Sequence, residues 1–228
     1  MSSGSTHSTS FYAPLLTLLV LIGALGGCTS TPAPGMSGLP DRVELNSVPY
    51  FRGKANHSGA MALAALLRQQ GVEITPGLLD KPLHLPEQAD QLQVSTQRVA
   101  REYGMVVYPL DGNLRALLAQ VAAGYPVLVR YTEGSLFWSE PRYAVLVGYD
   151  RFKDNLVLRS AEERRKLMKF SGFESKWRDA GSWAVLIQRP TQLPAEVDRQ
   201  RWLTAADELA RTGQESEAAK AVKAIAGH

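Results

Sequence analysis

Residues 142–150, RYAVLVGYD, limit the fold more than any other stretch of the sequence. From Ala144 to Val147 no polar residue interrupts the alternating pattern. A strand built here has two apolar faces and needs cover on both, so it is central in its sheet. A turn at Lys153–Asp154 and the run NLVLRS (155–160) continue it in antiparallel rhythm. MVVYPL and PVLVRYT also read as strands, with an amphipathic helix, GNLRALLAQVAAG, between them. GFESKWRDAG (172–181) reads as a short helix and SWAVLIQ (182–188) as a closing strand. Toward the front, Met61, Leu63, Ala64, Leu66 and Leu67 give a helix over 58–70 that stops at Gly71. Thr75-Pro76 opens a further helix. STQRVAREYG reads as another, with Ser95 as N-cap and Gly104 beyond its end. Helices first and an antiparallel sheet afterwards predict an α+β fold.

The N-terminus carries a different signal. Residues 14–27, PLLTLLVLIGALGG, have the length of a signal-peptide core and are too short for a membrane span. They run into LGGC, which resembles a bacterial lipobox, although residues 1–13 carry no Lys or Arg. Cleavage would leave Cys28 as an N-terminus bearing a diacylglycerol thioether and an amide-linked acyl chain such as palmitate. Several chains together make a stable anchor. Cys28 is the chain's only cysteine, so it has no disulfide partner. TSTPAPGMSGLP after it has the composition of a tether. Thr at position 29 points to the outer membrane, with the protein facing the periplasm. The expected organisation is a signal peptide over 1–27, a tether over 28–45 and a domain over 46–190. A helical hairpin over 195–228 follows, with Trp202, Ala205, Ala206, Leu209, Gly213, Ala218 and Val222 at the spacings of a tetratricopeptide unit. A lone unit of that kind leaves a face uncovered, so it packs on the domain or on a partner.

A net charge of +3 is too mild for a nucleic-acid binder. The basic run RSAEERRKLMK, with Arg159, Arg164, Arg165, Lys166 and Lys169, reads as a solvated charged face. No ligand spacing for a metal appears, and no glycine-rich phosphate loop or dinucleotide fingerprint, so no metal or cofactor is expected.

Four ordered blocks, VPYFRGKANHSGAMALAALLRQQG, RYAVLVGYD, NLVLRS and FESKWRDAGSWAVLIQ, resemble the papain-like peptidases that process bacteriocin double-glycine leaders. The likeness is to their lipoprotein branch with tetratricopeptide tails, and it spans about residues 46–190. It implies a papain-like fold, a helical half against an antiparallel sheet. It places the oxyanion-stabilising Gln of the family on Gly53, the nucleophilic Cys on Ser58, the catalytic His on Arg142 and the orienting Asp on Ser160. Each replacement removes a function. A serine hydroxyl needs a neighbouring base where a thiolate does not. A guanidinium keeps its proton and is no base. Glycine has no side-chain donor for an oxyanion.

The resemblance therefore implies a pseudopeptidase, whose cleft around Ser58, His57 and Arg142 binds an extended peptide or acidic segment of a protein partner without cutting it. Met61, Phe137 or Trp138 are candidates to plug that cleft. Two other readings stand beside it. Ser58 could act as a weak serine hydrolase with His57 or His84 as base, since His7 leaves with the signal and His228 is terminal. Alternatively the protein is a scaffold that binds through its C-terminal hairpin.

Overall fold

The computed structural model describes residues 1, 2, 4, 36–85, 91–135 and 138–228. Cys28, the tether up to residue 35 and nearly all of the expected signal peptide lie outside the described residues. The strands are β1 (Arg42–Glu44), β2 (Val106–Pro109), β3 (Val127–Ser135), β4 (Trp138–Asp150), β5 (Asn155–Arg159), β6 (Lys166–Lys169) and β7 (Ala184–Gln188). The helices are α1 (Ser58–Gln69), α2 (Pro76–Leu79), α3 (Leu92–Glu102), α4 (Leu114–Ala122), α5 (Phe170–Asp179), α6 (Arg199–Ala210) and α7 (Glu215–Ala226).

The strands form one antiparallel sheet in the order β2-β7-β3-β4-β5-β6. β4 is the long central strand. Its first part pairs with β3 and its last three residues pair with β1, while β5 takes its other edge. As the sequence requires, β4 is buried on both faces. Tyr143, Val145 and Val147 meet Leu63, Leu66 and Leu67 of α1 and Val99 of α3 in one core. Ala144 and Leu146 enter a second core with Leu117 of α4, Phe173 and Trp177 of α5, and Trp202 and Leu209 of α6. Each fully buried aliphatic side chain contributes roughly 1.5–3 kcal/mol, so this two-sided cover is where the fold gains its stability. The sheet is thus the middle of three layers, and the result is an α+β fold.

Local chemistry sets the ends of these elements. Gly71 ends α1 with φ +89°, a conformation that only glycine adopts without strain. Asn113 caps α4 by accepting from the Ala116 N–H at 2.9 Å, and Asp198 caps α6 by accepting from Arg201 N–H at 2.7 Å. Ser95 is not the N-cap of α3: the helix begins a turn earlier, and the Ser95 hydroxyl donates back to Gln91 O at 3.2 Å. That back-bond lets serine sit inside a helix.

Two further expectations change, and the open choice over the hairpin closes on the domain. β1 lies within the stretch read as tether, and Met36 is already buried in the core, so the folded unit starts before residue 45. Gly148 makes this possible, because a Cβ there would stand 2.5 Å from Val43 O and 3.0 Å from Glu44 Cα. The basic run holds an edge strand, β6, rather than a uniformly solvated face. The C-terminal hairpin packs on the domain, where Trp202, Ala205, Ala206, Leu209, Ala218, Ala221 and Ile225 join the core of Tyr108 and Leu186. Ala221 takes the inward position and Val222 is exposed. Trp202 is fully buried and donates its indole N–H to Ala221 O at 2.9 Å.

Removing that side chain should damage the whole domain, not the hairpin alone. Trp202→Ala is expected to cost about 3–5 kcal/mol, with sheet and hairpin still unfolding together in urea monitored by circular dichroism. Separate transitions would show that the hairpin is an independent appendage.

Candidate functional site

α1 points its N-terminus at β4. A short 3₁₀ turn, Ala55–His57, delivers the chain to Ser58, the first residue of the helix. Ser58 is buried at 4% exposure, and its hydroxyl oxygen accepts from the Tyr143 backbone N–H at 3.2 Å. Tyr143 follows Arg142, so the helix start and Arg142 abut. Ser58, Arg142 and Ser160 all line one small pocket, together with Tyr131, Glu133 and Glu162. Ser58 and Ser160 also line a second, with Tyr50, Phe51, Met61 and Arg159. Three positions far apart in sequence are therefore brought to one place.

Neither pocket is an open groove. Each has about 10 Å³ of room, the space of a single water molecule. Met61 is the plug among the three candidates. A Cβ on Gly53 would collide with the Met61 methyl, so the thioether occupies the ground that a side chain at 53 would need. Gly53 itself is held by its N–H, which donates to Ala161 O at 2.9 Å. Trp138 is exposed where β4 begins, and Phe137 lies outside the described residues.

The charges differ from those expected for a bare cation. Arg142 is ion-paired with Glu140 at 2.6 Å and Glu133 at 3.7 Å. Glu133 is shared with Lys166, which also stands 5.9 Å above the Tyr131 ring. Burial, the largest influence on Lys166, pulls its pKa down. The bond to Glu133 and the charges of Tyr131, Glu133 and Glu163 outweigh it, and the pKa is raised. Arg142 is thus neutralised at the pocket rim by glutamates from its own hairpin.

The other candidates fall as follows. His57 Nδ1 bonds Asp80 Oδ1 at 3.2 Å, tying the 3₁₀ turn to the end of α2. The only described bond of the Ser58 hydroxyl is the one to Tyr143. His84 lines neither pocket and sits at φ +57° in the turn after α2. The Ser160 hydroxyl is engaged in the turn that follows β5, accepting from Glu163 N–H at 3.1 Å.

Arg159 was counted with the solvated basic run, and the structure corrects this. It is 7% exposed, faces the α1 side of the sheet, and donates from Nη2 to Leu45 O and Asn46 O, both at 3.2 Å. The alternation in NLVLRS carried the signal, because Val157 and Arg159 share a face.

No protein-family model matches the chain, and no curated protein matches it either. Solved structures do match. A protein described as a C39-like peptidase from Bacillus anthracis aligns with TM-score 0.50 and 14% identity, over 65% of this chain and 98% of its own. Xylellain, a cysteine protease from Xylella fastidiosa, aligns with TM-score 0.51 and 12% identity, over 69% of this chain and 90% of its own. The fold is that of the papain-like peptidases. At these identities the likeness reaches the fold and stops there.

Alkaline pH tests how closed the site is. Burial foremost raises the phenols of Tyr131 and Tyr143 to about 12, against an ordinary 10.0. Their stabilisation is complete below pH 10, where the unfolded chain is also protonated, and is lost as pH rises toward 12. Lys166 acts in the same sense, since a lysine of raised pKa loses its advantage only above the ordinary 10.5. The urea midpoint should fall steadily from pH 10 to 12, and Tyr131→Phe should flatten part of that fall. A midpoint independent of pH over this range would mean that these side chains are solvated.

Proposed function

We propose that this protein is a non-catalytic pseudopeptidase, lipid-anchored through Cys28 in the bacterial outer membrane and facing the periplasm. Its papain-like cleft holds an extended peptide segment of a protein partner, within an envelope or secretion assembly. The observation that carries the reading is the fate of the two groups at the helix start. The Ser58 hydroxyl is occupied by a backbone N–H, and the side chain facing it across the pocket, Arg142, is bound to glutamates and is no base. A serine without a base does not become a nucleophile at neutral pH. Both pockets are nearly closed in this structure, so an extended chain enters by displacing Met61, an unbranched and flexible side chain.

A photo-crosslinking residue at position 142 in cells should trap a discrete protein partner, and Cys28→Ser should release the protein from the membrane fraction. If position 142 captures nothing while the protein is folded and anchored, the cleft is not the contact surface.

One observation favours a second reading. His57 is held by Asp80 beside Ser58, as a base in a hydrolase would be. Reaction with a fluorophosphonate probe discriminates. The pseudopeptidase should stay unlabelled, whereas labelling that disappears in Ser58→Ala would establish a serine hydrolase.

A further inference from the structure

Arg159 is a buried cation of the cleft that no carboxylate among the described residues bonds directly. Its Nε and Nη1 are both buried and have no hydrogen-bond partner among the described residues. Nη2 alone is engaged, by two backbone carbonyls that carry no net charge. Glu44, the carboxylate whose charge acts on Arg159, is committed to Arg165 in two bonds of 2.8 and 3.0 Å. Burial, and after it the charge of Arg164, hold the Arg159 pKa below its ordinary value, and the charge of Glu44 offsets them only in part. A buried charge without a partner is disfavoured, and a ligand that brings the opposite charge gains what the free protein lacks.

The position of this group gives it a purpose. Arg159 lines the pocket closed by Tyr50 and Phe51 on one side and by Ser58 and Met61 of α1 on the other. α1 directs the positive end of its dipole toward the same space. We infer that this pocket is a carboxylate subsite, in which the buried Arg159 guanidinium receives one oxygen of the ligand. The small pocket takes only the tip of a ligand, and the anionic tip that a peptide carries is a carboxylate oxygen. Met61 borders the space with a flexible thioether, so the rest of the ligand enters by moving one unbranched side chain.

This inference rests on the peptide-binding reading and names the ligand's chemistry. The carboxylate is either the C-terminus of the bound segment or an Asp or Glu side chain within it. The sequence-based expectation gave the role of cation to Arg142, which the glutamates of its own hairpin neutralise. Arg159 takes that role over.

The test begins with the whole chain, labelled at arginine nitrogen, titrated with sodium acetate against neutral acetamide at constant ionic strength. The Arg159 Nε resonance, assigned by its loss in Arg159→Lys, should shift saturably with acetate and not with acetamide. No saturable shift, or an equal response to acetamide, overturns the subsite. This comparison is made on the unaltered protein and does not depend on a buried variant folding.

A random decapeptide library then separates the sources, in three forms: free C-termini, amidated C-termini, and sequences lacking Asp and Glu. Retention that needs the free terminus assigns the α-carboxylate, and retention that needs Asp or Glu assigns the side chain. In either case Arg159→Lys should weaken binding about tenfold or more. A fourth form, both amidated and lacking Asp and Glu, carries no carboxylate; if it is retained as well as the others, the subsite is overturned and the peptide-binding cleft is left intact. An acetate response with no peptide retained would support the subsite and overturn the peptide reading.

Discussion

A strand covered on both faces cannot shift without exposing one of them, and β4 holds the rest of the molecule in register for that reason. A slip of one residue would exchange Tyr143, Val145 and Val147 with Ala144 and Leu146, sending each set into the wrong core. α1 packs on one of these faces and presents its first residue to the edge of the strand. The Ser58 hydroxyl then meets the Tyr143 N–H. The position of the candidate site is thus a consequence of core packing. Arg142 reaches the same pocket because it is next in line on the strand, and Ser160 because it directly follows the neighbouring strand β5.

Charge behaves differently on the two sides of this junction, and burial explains the difference. Around Arg142, two glutamates and a lysine form a network in which each cation has an anion within reach. Partly buried pairs of this kind roughly cancel their desolvation and fix geometry more than they add stability. Around Arg159, among the described residues, only two carbonyl oxygens bond the guanidinium, and Glu44 acts on it through its charge alone. Two cations of the same residue type, on neighbouring strands, are therefore a structural tie in one case and a guanidinium with two unengaged donors in the other. Residue type alone does not distinguish them; the partners do.

Most of the fold was legible in the sequence because it is written in periodicity. The two apolar faces of β4, the helical spacing of α1 and the alternation of β5 each follow from one local pattern. The elements that were missed have no such pattern. β1 is three residues long and exists because Gly148 leaves room for it on the far side of the chain. β6 is an edge strand, where charged residues are favoured because they discourage further pairing, so it reads as a solvated run. Ser95 is a good cap by type, but Leu92 already packs in the core and pulls the helix start back one turn. The site was half legible for the same kind of reason. The ordered blocks brought Gly53, Ser58, Arg142 and Ser160 together, whereas the pairing of Arg142 depends on how its own hairpin folds, and the bonding of Arg159 depends on Leu45 and Asn46, far away in the sequence.

Gly53 and Met61 bear on whether the cleft is inherited architecture or a working surface. Glycine at 53 leaves a void in front of α1, and the Met61 methyl fills it. Filling such a void permanently would suit a branched or aromatic side chain, which locks into one rotamer and packs densely. Methionine is the opposite choice: unbranched, with three rotatable bonds and little preference among them. A plug of this kind keeps water and apolar surface apart when the cleft is empty and moves aside at small cost when a ligand arrives. Arg159, with two unengaged donors, lines the same pocket. A soft closure beside a buried cation suits a cleft that opens to a ligand, and a merely vestigial one would gain more from a rigid apolar filling.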